Sequence, residues 1–101
     1  MMSWFLIQLF PSRENFAETA TADESAIIKA HFAYMQELTA KQIAYLVGRT
    51  EDASLGIALI RAGNSAEAQN LLDADPAIRA GIFRGTVKAY RLALHNPIPE
   101  T

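Results

Sequence analysis

The stretch TADESAIIKAHFAYMQEL, Thr21 to Leu38, decides the architecture, because it reads as a helix placed between two strand-like runs. Thr21-Ala-Asp-Glu24 is a capping box: the threonine hydroxyl and the glutamate three residues on satisfy each other's backbone amides, so a helix starts here. Behind it Ile27, Ile28, His31, Tyr34, Met35 and Leu38 recur at spacings of three and four and form one apolar stripe. Lys29, Gln36, Glu37 and Lys41 fall elsewhere on the wheel. On the N-terminal side, Trp4 to Phe10 is a short β-favouring run closed by Pro11, and Ser12 to Asp23 is a polar loop in the position of a lid. On the C-terminal side, Ile43–Gly48 and Leu55–Arg61 are two strand-like runs joined by a polar connection of hairpin length, which predicts an antiparallel pair.

After Gly63, Asn64 and Glu67 cap a short helix carrying Leu71 and Leu72. Asp75-Pro76 opens another turn, Gly81 is a helix stop, and Phe83–Leu94 reads as a long last strand. The order β-α-β-β-α-β predicts a ferredoxin-like α+β fold, with a four-stranded antiparallel sheet and both helices on one face. Residues 1–95 are expected to be a single domain and 96–101 a tail. Trp4, Leu6 and Gln8 alternate with Phe5, Ile7 and Leu9; Ile43, Tyr45 and Val47 alternate with Ala44, Leu46 and Gly48. Both faces of the sheet are therefore apolar, and the helix-free face is expected to pack against a second copy, a sheet-to-sheet homodimer, or to close over a ligand.

The chain has 101 residues, 50% of them hydrophobic, with 18 alanines that each bring little area to a core. A net charge of −2 creates no field to gather nucleic acid or anionic lipid. Zero cysteines exclude a disulfide scaffold, a thiolate nucleophile and a Cys-ligated zinc, and two histidines leave little for another metal. No cofactor is expected. The N-terminal run lacks a basic region and a cleavage site, and no stretch is long enough to span a bilayer, so a cytoplasmic protein without membrane contact is expected. The third strand, Leu55-Gly-Ile-Ala-Leu-Ile60, has no stacking aromatic and so excludes an RNA-recognition domain.

His31 is the most informative residue, since an imidazole on an apolar stripe requires a hydrogen-bond partner and titrates near neutrality when water reaches it. A core histidine satisfied by its neighbours is the structural alternative. Asp75 is the natural partner candidate, although its place before Pro76 also suits a helix cap. Both roles together would make a proton-transfer pair. In the polar loop, Arg13 is placed to clamp an anionic group and Phe16 to cover an apolar one, against the alternative of a solvated loop. Gly48 and Gly56 flank the hairpin and would permit close backbone approach. Arg84, Thr86, Lys88 and Tyr90 share one side of the last strand, a stripe that could attract an acidic ligand but more often is a solvated edge; His95 is peripheral.

Several of these segments together resemble the YciI-like (YCII-related) family of dimeric α+β barrel proteins. They are Pro11-Ser-Arg13-Glu-Asn-Phe16, Thr21-Ala-Asp-Glu24, His31-Phe-Ala-Tyr34 with Leu38, Leu46-Val-Gly48, Leu55-Gly-Ile57 and Ala74-Asp75-Pro76-Ala-Ile-Arg-Ala80-Gly81. The resemblance implies a ferredoxin-like monomer that dimerises through its sheets, with a pocket where the family's histidine and aspartate meet, here His31 and Asp75. It also implies small-molecule chemistry: a few relatives act on substituted aromatic or quinol-type compounds by cofactor-independent elimination or isomerisation, and most have no established reaction. Two positions depart from the family pattern. Gln42 stands where glycine is usual before the second strand, and Arg49 follows Gly48 where proline is usual.

Three functions follow as expectations. The first is a cofactor-independent enzyme in which His31 is the general acid/base, Asp75 orients it, and Arg13, Phe16, Tyr34 and Gly48 help hold a small aromatic or anionic compound. The second is a small-molecule-binding module using the same pocket without catalysis. The third is a structural dimerisation domain in which His31 and Asp75 stabilise the fold.

Overall fold

A computed structural model of the chain describes residues 2–99; Met1 and the last two positions of the expected tail, Glu100 and Thr101, lie outside the described residues. The elements in chain order are β1 (Ser3–Pro11), α1 (Phe16–Thr19), α2 (Ala22–Ala40), β2 (Ala44–Arg49), β3 (Gly56–Ala62), α3 (Ser65–Asp73), α4 (Pro76–Arg79) and β4 (Phe83–Tyr90). The strands form one antiparallel sheet in the order β2-β3-β1-β4, the ferredoxin-like arrangement expected from the element sequence. The capping box on Thr21 and Glu24 is formed in full, and the Asn64 side chain accepts the Glu67 N–H.

One face of β1 supplies the core. Phe5, Ile7 and Leu9 are buried together with Ala58 and Ile60 of β3, Met35 and Leu38 of α2, and Leu72 of α3. A second, smaller cluster of Phe16, Ala77 and Ile82 packs beside it with Ile27, Ile28 and Phe83. Gly85 marks a close approach of sheet to helix: a Cβ there would stand 2.7 Å from Leu72 Cδ1 and 3.1 Å from Ile78 Cδ1. The close approach expected at Gly48 and Gly56 is absent, since a Cβ at Gly48 meets nothing within 4 Å and one at Gly56 makes ordinary contacts at 3.6 Å.

The structure departs from strict alternation at one point that matters for the site. The β2–β3 register shifts between Ala44 and Leu46: Ala44 pairs with Ile60, whereas Leu46 pairs with Leu59 and Val47 with Ala58. The extra residue turns Leu46 to the helix-free face alongside Leu59 and returns Val47 to the helix side alongside the buried Ala58. A period-two reading placed these two side chains on the opposite faces. The last strand is also shorter than expected. Among the described residues its only partner is β1, and that ladder ends at the Trp4–Tyr90 pair, so from Arg91 to Leu94 the backbone has no described strand to join. On the helix-free face Trp4 meets Tyr45 edge-to-face at 5.0 Å, with Arg61 over both rings at 5.7 and 5.9 Å. No described helix is long and apolar enough to cross a membrane.

Two helices end in the same hydrogen-bond pattern. At the end of α4, Gly81 has φ +74°, its N–H donates to Ile78 and the Ile82 N–H donates to Ala77, a Schellman motif. At the end of α2, the N–H groups of Gln42 and Ile43 donate to Thr39 and Leu38 in the same pattern, with Gln42 at φ 59°. The left-handed position that glycine adopts without steric cost is thus occupied by a glutamine.

Candidate functional site

His31 sits on α2 at the level where α4 begins, and the local chemistry of α4 decides what faces it. Pro76 fixes the first helical residue, and Asp75 before it caps the helix: its Oδ1 accepts the Ala77 N–H at 2.9 Å. The same carboxylate lies 2.9 and 2.7 Å from Nδ1 of His31, through Oδ1 and Oδ2 respectively. Asp75 is the one buried polar or charged residue among those described, at 0% exposure, and both of its oxygens are engaged. With a carboxylate as acceptor, Nδ1 carries the proton and donates it, so the neutral ring presents the lone pair of Nε2. Nε2 has no hydrogen-bond partner among the described residues, and it is not one of the buried polar atoms lacking a partner, of which there are none. It is therefore reached by solvent.

The ring stands at the edge of a cavity of about 540 Å³ between α2, the β2–β3 end of the sheet and the segment after β1. Phe16, Phe32 and Phe83 supply its aromatic surface, Ile28, Met35 and Val47 its aliphatic surface. Phe83 stands edge-to-face to His31 at 5.4 Å and to Phe16 at 6.0 Å, which fixes the imidazole plane from the sheet side. A volume of this size suits a small-molecule ligand.

The sequence-predicted residues divide. His31, Phe16 and Gly48 line the cavity, and Asp75 lies directly behind His31. Phe16 is buried at the start of α1, not held on a mobile loop. Arg13 does not reach the cavity. Its guanidinium makes a two-pronged contact with Glu24 at 2.8 and 2.9 Å, donates to Thr19, and lies 4.7 Å from the centre of the Phe16 ring. The Arg13 guanidinium and the Thr21 N–H hold Glu24 down to about 2. The segment read as an open loop is thus pinned to the start of α2 by an arginine whose donors are spent inside the protein.

Tyr34 also lies outside the cavity lining; its hydroxyl donates to the Leu71 carbonyl at 2.6 Å and ties α2 to α3. Burial, and secondarily the charge of Asp75, pushes the Tyr34 phenol up, so it remains a donor. The residues alone do not place Phe83, Val47 or Lys29 at the cavity, and Arg49 stands out in the sequence only as a departure from the family pattern beside Gly48. Phe83 and Val47 looked like ordinary strand residues, and only the β2 bulge brings Val47 round. Lys29 lies off the apolar stripe of α2, so periodicity gives no sign that it lines the cavity.

Comparison with known proteins follows the same fold. The model of the YCII-related domain matches residues 7–90. A search of curated proteins finds no match. Among solved structures, 5-chloro-2-hydroxyhydroquinone dehydrochlorinase (TftG) from Burkholderia phenoliruptrix, in complex with 2,5-dihydroxybenzoquinone, superposes with a TM-score of 0.69 at 21% identity, covering 89% of this chain and 95% of that one. The family model spans most of the chain, from the middle of β1 to the last residue of β4, and the chain belongs to the YCII-related domain family.

Proposed function

We propose that this protein binds a small aromatic compound in the 540 Å³ cavity and moves a proton on it, with His31 as the general acid/base and Asp75 as the residue that positions it. The observation that carries the reading is the sealed carboxylate behind the ring. A carboxylate at 0% exposure is costly unless paired, and here its partner is an imidazole that lines a ligand-sized space and whose other nitrogen is reached by solvent. In the proposed step Nε2 takes a proton from the bound ring compound, and Asp75 stabilises the imidazolium that results. In an elimination, a leaving group departs with its bonding electron pair; in an isomerisation, the same proton is returned at another atom. Neither needs a further reagent. The dehydrochlorinase with a bound quinone among the structural neighbours supports an aromatic or quinone-type ligand.

The reading includes a homodimer formed through the helix-free sheet face, supported by the half-exposed Tyr45, Leu46 and Tyr90 on that side. Light scattering on the purified chain tests it; a monomer at micromolar concentration overturns it.

The catalytic reading is tested by screening hydroquinones, chlorinated hydroxyhydroquinones and unsaturated lactones for turnover by the parent, His31→Ala and His31→Gln. The glutamine retains an N–H for Asp75, so that a loss of activity is not a loss of folding. Turnover should fall by about a hundredfold or more in both variants. Equal turnover by a folded His31→Gln overturns the assignment, and saturable binding without product would make the protein a binding module.

A further inference from the structure

The charged lining of the cavity is of one sign. Among the described residues its ionisable side chains are Lys29, His31 and Arg49, with no Asp or Glu, although the chain as a whole has 11 acidic residues against 9 Lys and Arg. The carboxylate nearest the site, Asp75, is sealed behind the imidazole with both oxygens engaged. Asp52 lies close enough to Arg49 for that charge to contribute to its lowered pKa, yet it is not part of the lining. Its Oδ1 is turned to the hydroxyls of Thr50 and Ser54 and the Ser54 N–H.

Neither cation forms an ion pair with a carboxylate among the described residues. The ion pairs among the described residues are Arg13–Glu24, His31–Asp75 and Lys41–Glu37, so no described carboxylate lies within 4.0 Å of Lys29 or Arg49. Arg49 is also held in place: its Nη1 donates to the carbonyls of Thr50 and Glu51 at 2.9 and 3.0 Å, which leaves Nε and Nη2 without a partner among the described residues. An arginine anchored by one nitrogen, with its remaining donors free, suits a planar anionic group such as a carboxylate. The rest of the lining, Phe16, Phe32, Phe83, Ile28 and Met35, suits an aromatic ring.

We infer that the ligand is a small aromatic acid, its ionised carboxylate held by Lys29 and Arg49 and its ring lying against the phenylalanines within reach of His31. The inference rests on the cavity being the ligand site, as proposed above, and not on catalysis there. It also transfers the role of anion clamp from Arg13, whose donors are spent on Glu24 and Thr19, to Arg49 and Lys29.

Two isosteric pairs test the inference: benzoate with benzamide, and 2,5-dihydroxybenzoate with 2,5-dihydroxybenzamide, titrated into the parent, Lys29→Gln and Arg49→Gln by calorimetry and ligand-observed NMR. Each acid should bind about tenfold more tightly than its amide, with affinity falling as salt rises. Each substitution should weaken the acids by about threefold and leave the amides unchanged, as expected for partly exposed ion pairs. Both side chains are exposed, so the variants fold. Equal affinity within the pairs, indifference of the acids to both substitutions, or binding of neither pair overturns the inference. If the acids bind selectively and no compound is turned over, the proton-transfer reading fails and this one stands. If turnover occurs and the amides bind as well as the acids, the reverse holds.

Discussion

Oδ2 of Asp75 lies 2.7 Å from Nδ1 of His31, across 44 positions of sequence, while Oδ1 of the same carboxylate accepts the Ala77 N–H at 2.9 Å. One side chain therefore starts α4 and orients the imidazole. The two tasks share one rigid carboxylate, so the start of α4 sets the position from which the imidazole is held.

Replacing Asp75 should separate its contributions. Asp75→Ala removes the cap and leaves the Nδ1–H of His31 without an acceptor, and should cost about 3 kcal/mol in urea unfolding. Asp75→Asn retains an oxygen for the Ala77 N–H and should cost less than half as much. Long-range proton–nitrogen spectra of the parent's neutral ring should show the proton on Nδ1. A proton on Nε2 would contradict the hydrogen-bond assignment.

Tyr34→Phe removes the bond from the hydroxyl to the Leu71 carbonyl and nothing in the cavity lining. Stability should drop by about 1 kcal/mol, with ligand affinity unchanged. A loss of affinity without a loss of stability would place Tyr34 in the binding site after all.

Gln42 occupies a left-handed backbone position, at φ 59°, in a motif whose counterpart at the end of α4 has Gly81. Gln42→Gly should raise stability by about 0.5 to 1 kcal/mol, the relief of left-handed strain exceeding the added freedom of the unfolded chain. The complementary Gly81→Gln should lower it. The denaturation midpoints of the two variants, moving in opposite directions, check this.

Glu24 is held down to about 2, against an ordinary value of 4.5, first by its hydrogen bond from Arg13 and then by the Thr21 N–H. Because the folded-state value is depressed, the unfolded chain takes up the proton first as pH falls. The stabilisation is complete above the ordinary value and is lost as pH drops from 4.5 towards 2. The difference in melting temperature between the parent and Glu24→Gln should be constant near neutrality and shrink across that window. A difference that persists unchanged at pH 2.5 would show that Glu24 owes its effect to shape and not to charge.

The order of elements, both N-terminal caps and the glycine stop at Gly81 were legible in the sequence, because each depends on residues within about four positions of one another. The same is true of the apolar stripe carrying His31. The Arg13–Glu24 contact was not legible, since a loop arginine can face solvent or protein with equal ease and only the path of the chain through α1 decides. The bulge at Ala44–Leu46 was not legible either. A bulge is set by what β2 pairs with, and its own residues alternate as a regular strand would.

By itself the sequence determined the strand count, the starts of α2, α3 and α4 and the glycine stop at Gly81, and it named His31 and Asp75 as candidate partners. It did not show α1, which lies in the segment that reads as a loop. Local hydrogen bonding and apolar periodicity are properties of neighbouring residues, and so they survive in a linear text. Tertiary structure alone decided that Asp75 is sealed, that Val47 and Phe83 wall the cavity, and that Arg49 and Lys29 line it while Arg13 is tied to Glu24. Burial, distance and the direction of a charged side chain arise only when segments far apart in the chain exclude water from between them.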